Sequence, residues 1–430
     1  MNMIAPRRTR LVLVGNGMAG MRTLEEILSR TRHDFAITVF GAEPHGNYNR
    51  IMLSPVLAGE KTFEAITTHP RSWYDENDIE LIVGEPVVGI DREASTVTGA
   101  LGTTRPYDVL LLATGSNPVI IPLPGHKLNG VVGFRDIADV ETMLAASKSG
   151  THAVVIGGGL LGLEAANGLA SNGMDTTVLH IMPTLMERQL DPVSAGMLEA
   201  DLAARGIKVI TGANTRTILG EERVEGVALA DGTHLPADIV VMAAGIRPNI
   251  ALAKDSGLAC GRGIQVDDGM LTSDPAIFAV GECVEYRGAL FGLVAPLYEM
   301  AKVVADRITG SADSAYAPAV TGTRLKVTGI DMFSSGDFIG DDNTDDLVFR
   351  DAARGVHKRL VIRDDRLIGA VLYGDAQDGG WYFDHIRNET DISELRDMLV
   401  FGPDLGKGDA VSGIESPAYA PIGTSDAAVA

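Results

Sequence analysis

Two stretches of this chain share one pattern of apolar and small residues. Leu11-Val12-Leu13-Val14 is an unbroken apolar run that leads into Gly15-Asn16-Gly17-Met18-Ala19-Gly20. Ala153-Val154-Val155-Ile156 leads in the same way into Gly157-Gly158-Gly159-Leu160-Leu161-Gly162. A short, continuous apolar run predicts a strand buried on both faces. Glycines directly after it, followed by helical periodicity, predict a tight turn into a helix, over residues 18–29 and 160–172. Second strands follow at 36–40 and 176–180. Each unit then closes on another apolar run, one ending in Ala113-Thr114-Gly115-Ser116 and the other in Gly245-Ile246-Arg247-Pro248-Asn249. Strands alternating with helices predict an α/β fold with two Rossmann-like dinucleotide-binding domains.

The pattern then changes. After a Pro/Gly-rich linker at 117–125 a short helix is expected over 136–146. Thr272 to Glu282 reads as a further strand ending in glycine and an acid, which returns the chain to the first unit. A helix begins near 292–296, with Pro296 suited to its first turn, and runs to about residue 308. Residues 320–402 alternate short strands (324–327, 347–349, 358–362, 367–373) with a closing helix at 392–399, a small α+β C-terminal domain. Residues 403–430 are rich in Gly, Ala, Ser and Pro and read as a mobile tail. With 430 residues, more than one core is required. The expected organisation is 1–120 with 246–319 as one discontinuous domain, 121–245 as a second, 320–402 as a third, and the tail.

A glycine turn between strand and helix lets a pyrophosphate approach backbone N–H groups at a helix N-terminus. Two such turns in one chain imply two dinucleotides bound in series, and hence electron transfer between them. Glu43 lies just past the second strand, further along than the usual spacing of about 20 residues, where a carboxylate accepts ribose hydroxyls. Thr114 and Gly115 end a buried strand where glycine lets the backbone pass close to a ligand.

Charge and cysteine usage narrow the function classes. The net charge of −21 argues against nucleic acid or an anionic membrane surface as partner. Arg7-Arg8 resembles a twin-arginine export signal, but the apolar run behind it is short and enters the first glycine turn, so it reads as a strand. No run approaches the roughly 18 apolar residues of a membrane span, and a cytoplasmic protein is expected. Cys260 and Cys283 form no CxxC pair, which argues against a disulfide framework, a cysteine-ligated iron–sulfur cluster and a dithiol centre. The nine histidines show no metal-ligand spacing, and no metal is expected. Both cysteines read as small core filler.

Taken in order, the motifs GxGxxG, Glu43, Ala-Thr-Gly, the second GxGxxG, Ala-Gly-Ile-Arg-Pro-Asn and Ala-Val-Gly-Glu resemble those of the two-dinucleotide flavoprotein reductases. Rubredoxin reductases, ferredoxin reductases and NADH oxidases belong to that group. More narrowly, VGNGMAGMRTLEEIL, GAEPHGNYNRIMLSPVLAGE, PTLMERQLD, AVGECVE and LKVTGIDMFSSGDF are similar to the N-terminal flavin module of assimilatory NAD(P)H nitrite reductase large subunits, over residues 10–402. The resemblance implies FAD on the first unit, held by Gly15, Gly17, Gly20, Glu43, Val87, Thr114, Gly115, Gly281 and Glu282. It also implies a helix starting near Ala295 whose positive end faces the flavin C2 carbonyl. It places Arg50 beside the flavin and Glu164 near the nicotinamide, with an Arg50–Glu164 ion pair expected between them. Gly157, Gly159, Gly162 and Gly245 would hold NAD(P)H.

At the end of the 176–180 strand an acid would indicate NADH and an arginine NADPH. His180-Ile181 gives neither signal, Arg188 could reach a 2′-phosphate, and NADH is favoured. Trp381-Tyr382-Phe383 fit core packing, a flavin cover or a homodimer contact equally. Nitrite reductase large subunits continue into an iron–sulfur segment and a sirohaem domain, and this chain has none of those cysteines. It is therefore expected to act as an FAD-dependent NAD(P)H oxidoreductase that passes electrons to a separate nitrate or nitrite assimilation component or an iron–sulfur carrier. Hydride transfer needs no side-chain acid or base, so no catalytic residue is nominated beyond Arg50 and Glu164 as neighbours of the rings. The rival readings are a rubredoxin or ferredoxin reductase, a thiol-free NADH oxidase (Asn47 to Pro55 holds no cysteine), and a non-enzymatic redox-sensing flavoprotein.

Overall fold

The computed structural model describes residues 7–318, 322–327 and 329–403, so the expected tail lies outside the described residues from 404 onward. The chain divides into two compact units, residues 7–183 with 201–318, and residues 184–200 with those from 322 on.

In the first unit Thr9–Val14 is the middle strand of a five-stranded parallel sheet. The order is Ile277–Ala279, Val109–Leu112, Thr9–Val14, Phe35–Phe40, Ile79–Ile82. Leu13 stands between Leu111 on one neighbour and Val39 on the other, and all three are fully buried. Each such side chain contributes about 1.5–3 kcal/mol by leaving water. The second sheet repeats the arrangement with Val131–Val132, Ile239–Met242, His152–Ile156, Asp175–Leu179 and Lys208–Ile210. In both sheets the strand before the glycine turn lies beside the closing strand. Strand order reverses there, and ligands of doubly wound sheets bind at the carboxyl ends of such strands.

The Met18–Arg30 helix shows why its sequence folds as it does. Met21, Leu24 and Ile27 are buried at helical spacing, while Arg22 and Arg30 each pair with Glu26 on the outer face. The Val294–Ile308 helix packs against it, and Arg30 reaches Asp306 at 2.7 Å. The first sheet's chain leaves through Ser116–Pro118 and returns through Ile246–Pro248. These two short strands run antiparallel, Asn117 opposite Arg247.

The second unit carries a five-stranded antiparallel sheet, ordered Gly322–Val327, Ile330–Gly336, Arg366–Tyr373, Val356–Arg363, Asp345–Asp351. The Ile330–Gly336 strand is one the sequence pattern does not predict. The helix expected at 392–399 is also corrected, because the unit's helix is Gly379–Arg387, and 392–399 is a run of turns leading into a short 3-10 turn, Leu399–Phe401. Ile392 and Leu399 are both fully buried anchors, and the Ile392 N–H donates to the Asp365 carbonyl at 2.8 Å. Tyr382 on the helix is fully buried and donates its hydroxyl proton to the Leu399 carbonyl at 2.8 Å. The Thr390 N–H donates to the His385 carbonyl at 3.1 Å and Asp391 bridges Arg366, so this stretch is tied to the preceding helix and to the edge of the sheet.

Candidate functional site

The first glycine turn is built by three different demands. Gly15 has φ +109°, and a Cβ there would overlap the Ala113 carbonyl oxygen. A Cβ at Gly20 would stand 2.9 Å from the Ala113 Cβ, so this glycine lets the helix lie against the closing strand. Gly17 is the reverse case, with nothing within 4 Å of a Cβ built on it. Gly17 caps the Met18–Arg30 helix with no side-chain hydrogen bond, and the first turn carries no acid. The helix N–H groups and the positive end of its dipole are therefore left to an anion. These residues fit a dinucleotide pyrophosphate.

The second turn reproduces all three features. Gly157 has φ +134° and its Cβ would overlap the Ala243 carbonyl oxygen. One at Gly162 would overlap the Gly157 carbonyl, and Gly159 again faces nothing within 4 Å. Gly159 caps the Leu160–Ser171 helix without a side-chain bond or a first-turn acid. At the end of the neighbouring strand, His180 is buried and its Nδ1 accepts from the Gly158 N–H at 3.0 Å. That position therefore carries no carboxylate.

Beside the first turn, polar side chains form one continuous chain. Glu43 accepts from the Tyr48 hydroxyl at 2.7 Å and is paired with Arg50. Arg50 lies over the Tyr48 ring, 5.5 Å to its centroid, and donates to the Arg135 carbonyl at 3.1 Å. Arg135 pairs with Glu282, which also accepts from the Ser116 hydroxyl at 2.6 Å. The buried Nε of Arg135 has no hydrogen-bond partner among the described residues. Gly281 lies against the glycine helix, its Cβ position 3.1 Å from Ala19. The Thr114 hydroxyl donates to the Asn249 carbonyl at 2.7 Å, and the Asn249 N–H donates to the Gly115 carbonyl. The sequence-predicted residues Glu43, Arg50, Thr114, Gly115, Gly281 and Glu282 thus gather around the first turn. Val87 is half-buried in the Val87–Asp91 strand opposite Gly99. Ala295 lies in the first turn of the Val294–Ile308 helix, which has no side-chain cap and no first-turn acid.

One expectation is corrected. Arg50 and Glu164 do not pair. Asn49 caps the short Arg50–Met52 turn through the Ile51 N–H, and the Arg50 guanidinium is engaged by Glu43, the Tyr48 ring and the Arg135 carbonyl. Glu164, on the Leu160–Ser171 helix, accepts from the Ser54 hydroxyl of the Leu53–Leu57 helix. Burial pushes the Glu164 carboxyl up to about 7, only partly offset by the Ser54 hydrogen bond. Burial likewise pushes the Tyr48 phenol up, with Arg50 opposing.

Sequence reasoning missed Arg135, Ser54, Tyr48 and Asn249. The only local signal was for Arg135, which precedes Asp136, the N-cap of the Ile137–Ser147 helix, and donates its own N–H to Asp139 at 2.7 Å. Cys283 is fully buried with Sγ 3.3 Å from the Val280 carbonyl, and Cys260 is half-buried. Among the described residues no cluster of His, Cys, Asp and Glu could hold a metal ion. Among them, no helix is long and apolar enough to cross a membrane.

Comparison with known proteins agrees with this architecture. The pattern of the pyridine nucleotide-disulphide oxidoreductases matches residues 9–312, and that of the rubredoxin NAD+ reductase C-terminal domain matches residues 322–390. The chain is 49% identical over 396 residues to a nitrite reductase [NAD(P)H] of Bacillus subtilis, covering 92% of this chain and 49% of that protein. It is 43% identical over 394 residues to the assimilatory nitrate reductase electron transfer subunit of the same organism, covering 92% and 51%. The chain thus spans about half the length of these relatives. Among solved structures it is similar to a putidaredoxin reductase in covalent complex with putidaredoxin (TM-score 0.81, 26% identity, 91% of this chain and 95% of that one). NADH:rubredoxin oxidoreductase from Clostridium acetobutylicum is also similar (TM-score 0.74, 26% identity, 91% and 99%). With the family pattern covering both glycine turns and both parallel sheets, this chain belongs to the pyridine nucleotide-disulphide oxidoreductases.

Proposed function

We propose that this chain is an FAD-dependent NAD(P)H oxidoreductase that hands electrons to a separate redox protein of nitrate or nitrite assimilation. The observation that carries the reading is the duplicated glycine turn, each with an open approach at its middle glycine and an uncapped helix behind it. In this reading residues 1–120 and 246–319 hold FAD, 121–245 hold NAD(P)H, and 320–402 form the third domain. Gly15, Gly17 and Gly20 admit the FAD pyrophosphate, and Glu43, Arg50, Val87, Thr114, Gly115, Gly281, Glu282 and Ala295 line the rest of that cofactor. Gly157, Gly159, Gly162, Glu164 and Gly245 serve the nicotinamide dinucleotide.

When bound, the two cofactors supply hydride transfer to a flavin that then releases electrons outward. The protein's part is to bind and orient. Arg135 offers a buried, unpaired N–H donor beside the first turn, and Gly115 lies next to it, its Cβ position 3.7 Å from the Arg135 Nη2. The uncapped start of the Val294–Ile308 helix offers positive partial charge to the reduced flavin. Burial raises the Glu164 carboxyl to about 7, so it gives up its proton less readily than an ordinary carboxyl beside the second turn. The electron transfer subunit and the reductase–redoxin pair among the relatives support delivery to a separate acceptor. A cytoplasmic location and the possibility of a homodimer belong to the same proposal. NADH is the favoured donor.

Anaerobic reduction of the purified yellow protein by NADH and by NADPH, followed by reoxidation with nitrate or nitrite reductase components, tests the reading. A colourless protein that takes up no flavin would defeat it. Reoxidation by oxygen faster than by any protein acceptor would favour the thiol-free oxidase.

A further inference from the structure

Beneath the first glycine turn runs a buried hydrogen-bond chain that the proposed function does not use. Asn16, between Gly15 and Gly17, is held at two points. Its carbonyl accepts from the Asn47 Nδ2 at 2.9 Å, and its Oδ1 accepts from the Tyr74 hydroxyl at 2.8 Å. The Asn47 N–H in turn donates to the Tyr74 oxygen at 3.3 Å. The other end of the Asn47 amide, Oδ1, faces the Thr68 hydroxyl and the His69 Nδ1, the latter at 3.0 Å. His69 Nε2 lies 2.9 Å from Glu25 Oε1. Asn47, His69 and Tyr74 are all buried.

The directions of these bonds fix the protons. Asn47 must present its NH2 to the Asn16 carbonyl, since turning the amide over would set two carbonyl oxygens against each other. Its Oδ1 is then an acceptor, so His69 Nδ1 carries a proton. On the far side Nε2 faces the Glu25 carboxyl at 2.9 Å, so both ring nitrogens have a polar partner. Burial raises the Glu25 carboxyl, but His69 and Arg22 outweigh it and hold the group ionised below its ordinary range. The charged groups on this side are Glu25 and, behind it at 3.2 Å, Arg22. The Arg71–Glu76 helix turns Trp73 and Tyr74 toward the network and leaves Arg71, Asp75 and Glu76 exposed. Trp73 meets the imidazole edge-on, with centroids 4.4 Å apart.

We propose that His69, held between Asn47 and Glu25 through its two ring nitrogens, is a positioning residue that holds the first glycine turn in the shape that accepts a dinucleotide pyrophosphate. The peptide plane supplies the link. In a trans peptide the carbonyl and the following N–H point opposite ways, so fixing the Asn16 carbonyl toward Asn47 fixes the direction of the Gly17 N–H. Without the imidazole, Asn47 Oδ1 loses one of the two donors that fix the amide, the other being the Thr68 hydroxyl. The inference rests on the reading that FAD occupies the first turn.

The test uses the full-length apoprotein and FAD as probe, with affinity read from quenching of flavin fluorescence. His69→Gln is expected to bind roughly tenfold more weakly, the scale of one lost hydrogen bond to a positioning side chain. Glu25→Gln keeps a polar partner for the ring and should stay near the wild-type affinity. Histidine labelled with nitrogen-15 gives a readout independent of FAD, in which His69 Nδ1 should carry a proton. Unchanged affinity in His69→Gln, or a ring with no proton on Nδ1, would each overturn the proposal. Wild type that binds no FAD would instead defeat the cofactor reading, and the ring nitrogens would still decide the protonation claim.

Discussion

The Ser54 hydroxyl donates to the Glu164 carboxyl, and no cation pairs with Glu164 among the described residues. The bond ties the Leu53–Leu57 helix, which follows the first sheet's second strand, to the helix of the second glycine turn. An acid in that setting keeps its proton far beyond the ordinary carboxylate range.

Stability should therefore fall as pH rises from about 4.5 to about 7, because over that interval the unfolded chain has lost the Glu164 proton and the folded one still holds it. Glu164→Gln keeps an acceptor for Ser54 and removes the titration. It is expected to be more stable than wild type at pH 8, by on the order of 1–2 kcal/mol once partial solvent access is allowed for, with the gap closing below pH 5. Urea unfolding of both proteins at the two pH values measures this. An equal gap at both would refute it.

The two open glycines should separate the cofactors. Gly17→Val is expected to weaken FAD by about 3 kcal/mol, more than a hundredfold, and to yield a colourless but folded protein, since a side chain there meets nothing within 4 Å. Gly159→Val should stay yellow and raise the NADH KM. Absorbance at the flavin band and steady-state kinetics distinguish the two, and the opposite pattern would mean the sites are swapped. Gly20→Val, by contrast, should destabilise the fold itself by about 1–3 kcal/mol, because its Cβ already crowds Ala113.

Arg135 and Glu282 form a largely buried ion pair with 19% and 15% of their side chains exposed. Arg135→Met leaves Glu282 with Ser116 as its remaining donor, and should cost about 2–3 kcal/mol in urea unfolding and weaken FAD retention. Unchanged stability would show that solvent replaces the guanidinium without penalty.

His180 offers a specificity test. His180→Asp keeps an acceptor for the Gly158 N–H and introduces a carboxylate at the strand end. The KM for NADPH is expected to rise at least about tenfold more than that for NADH, through repulsion of the 2′-phosphate. Equal changes for both would place the adenosine ribose elsewhere.

Much of this was legible in the sequence, for a physical reason. A glycine turn between a buried strand and a helix is local, and every part of it lies within about ten residues, so both turns and both central strands are found where the pattern puts them. The side-chain partners are not local. Glu282 meets Arg135 and Ser116 across more than a hundred residues, and no periodicity marks such a meeting. Arg50 illustrates the limit most clearly. Its neighbour seven residues back, Glu43, takes the guanidinium together with the Tyr48 ring and the Arg135 carbonyl, while the distant Glu164 is engaged by Ser54. The 392–399 stretch failed otherwise, its apolar residues being single anchors for a loop and not one face of a helix.

The short antiparallel pair formed by Ser116–Pro118 and Ile246–Pro248 means that the polypeptide exits and re-enters the first sheet at one spot. Apart from residues 184–200, which group with the second unit, the intervening chain is an insertion whose two ends already touch. The strands Val109–Leu112 and Ile277–Ala279 on either side of it pair directly, so the sheet is continuous across the junction.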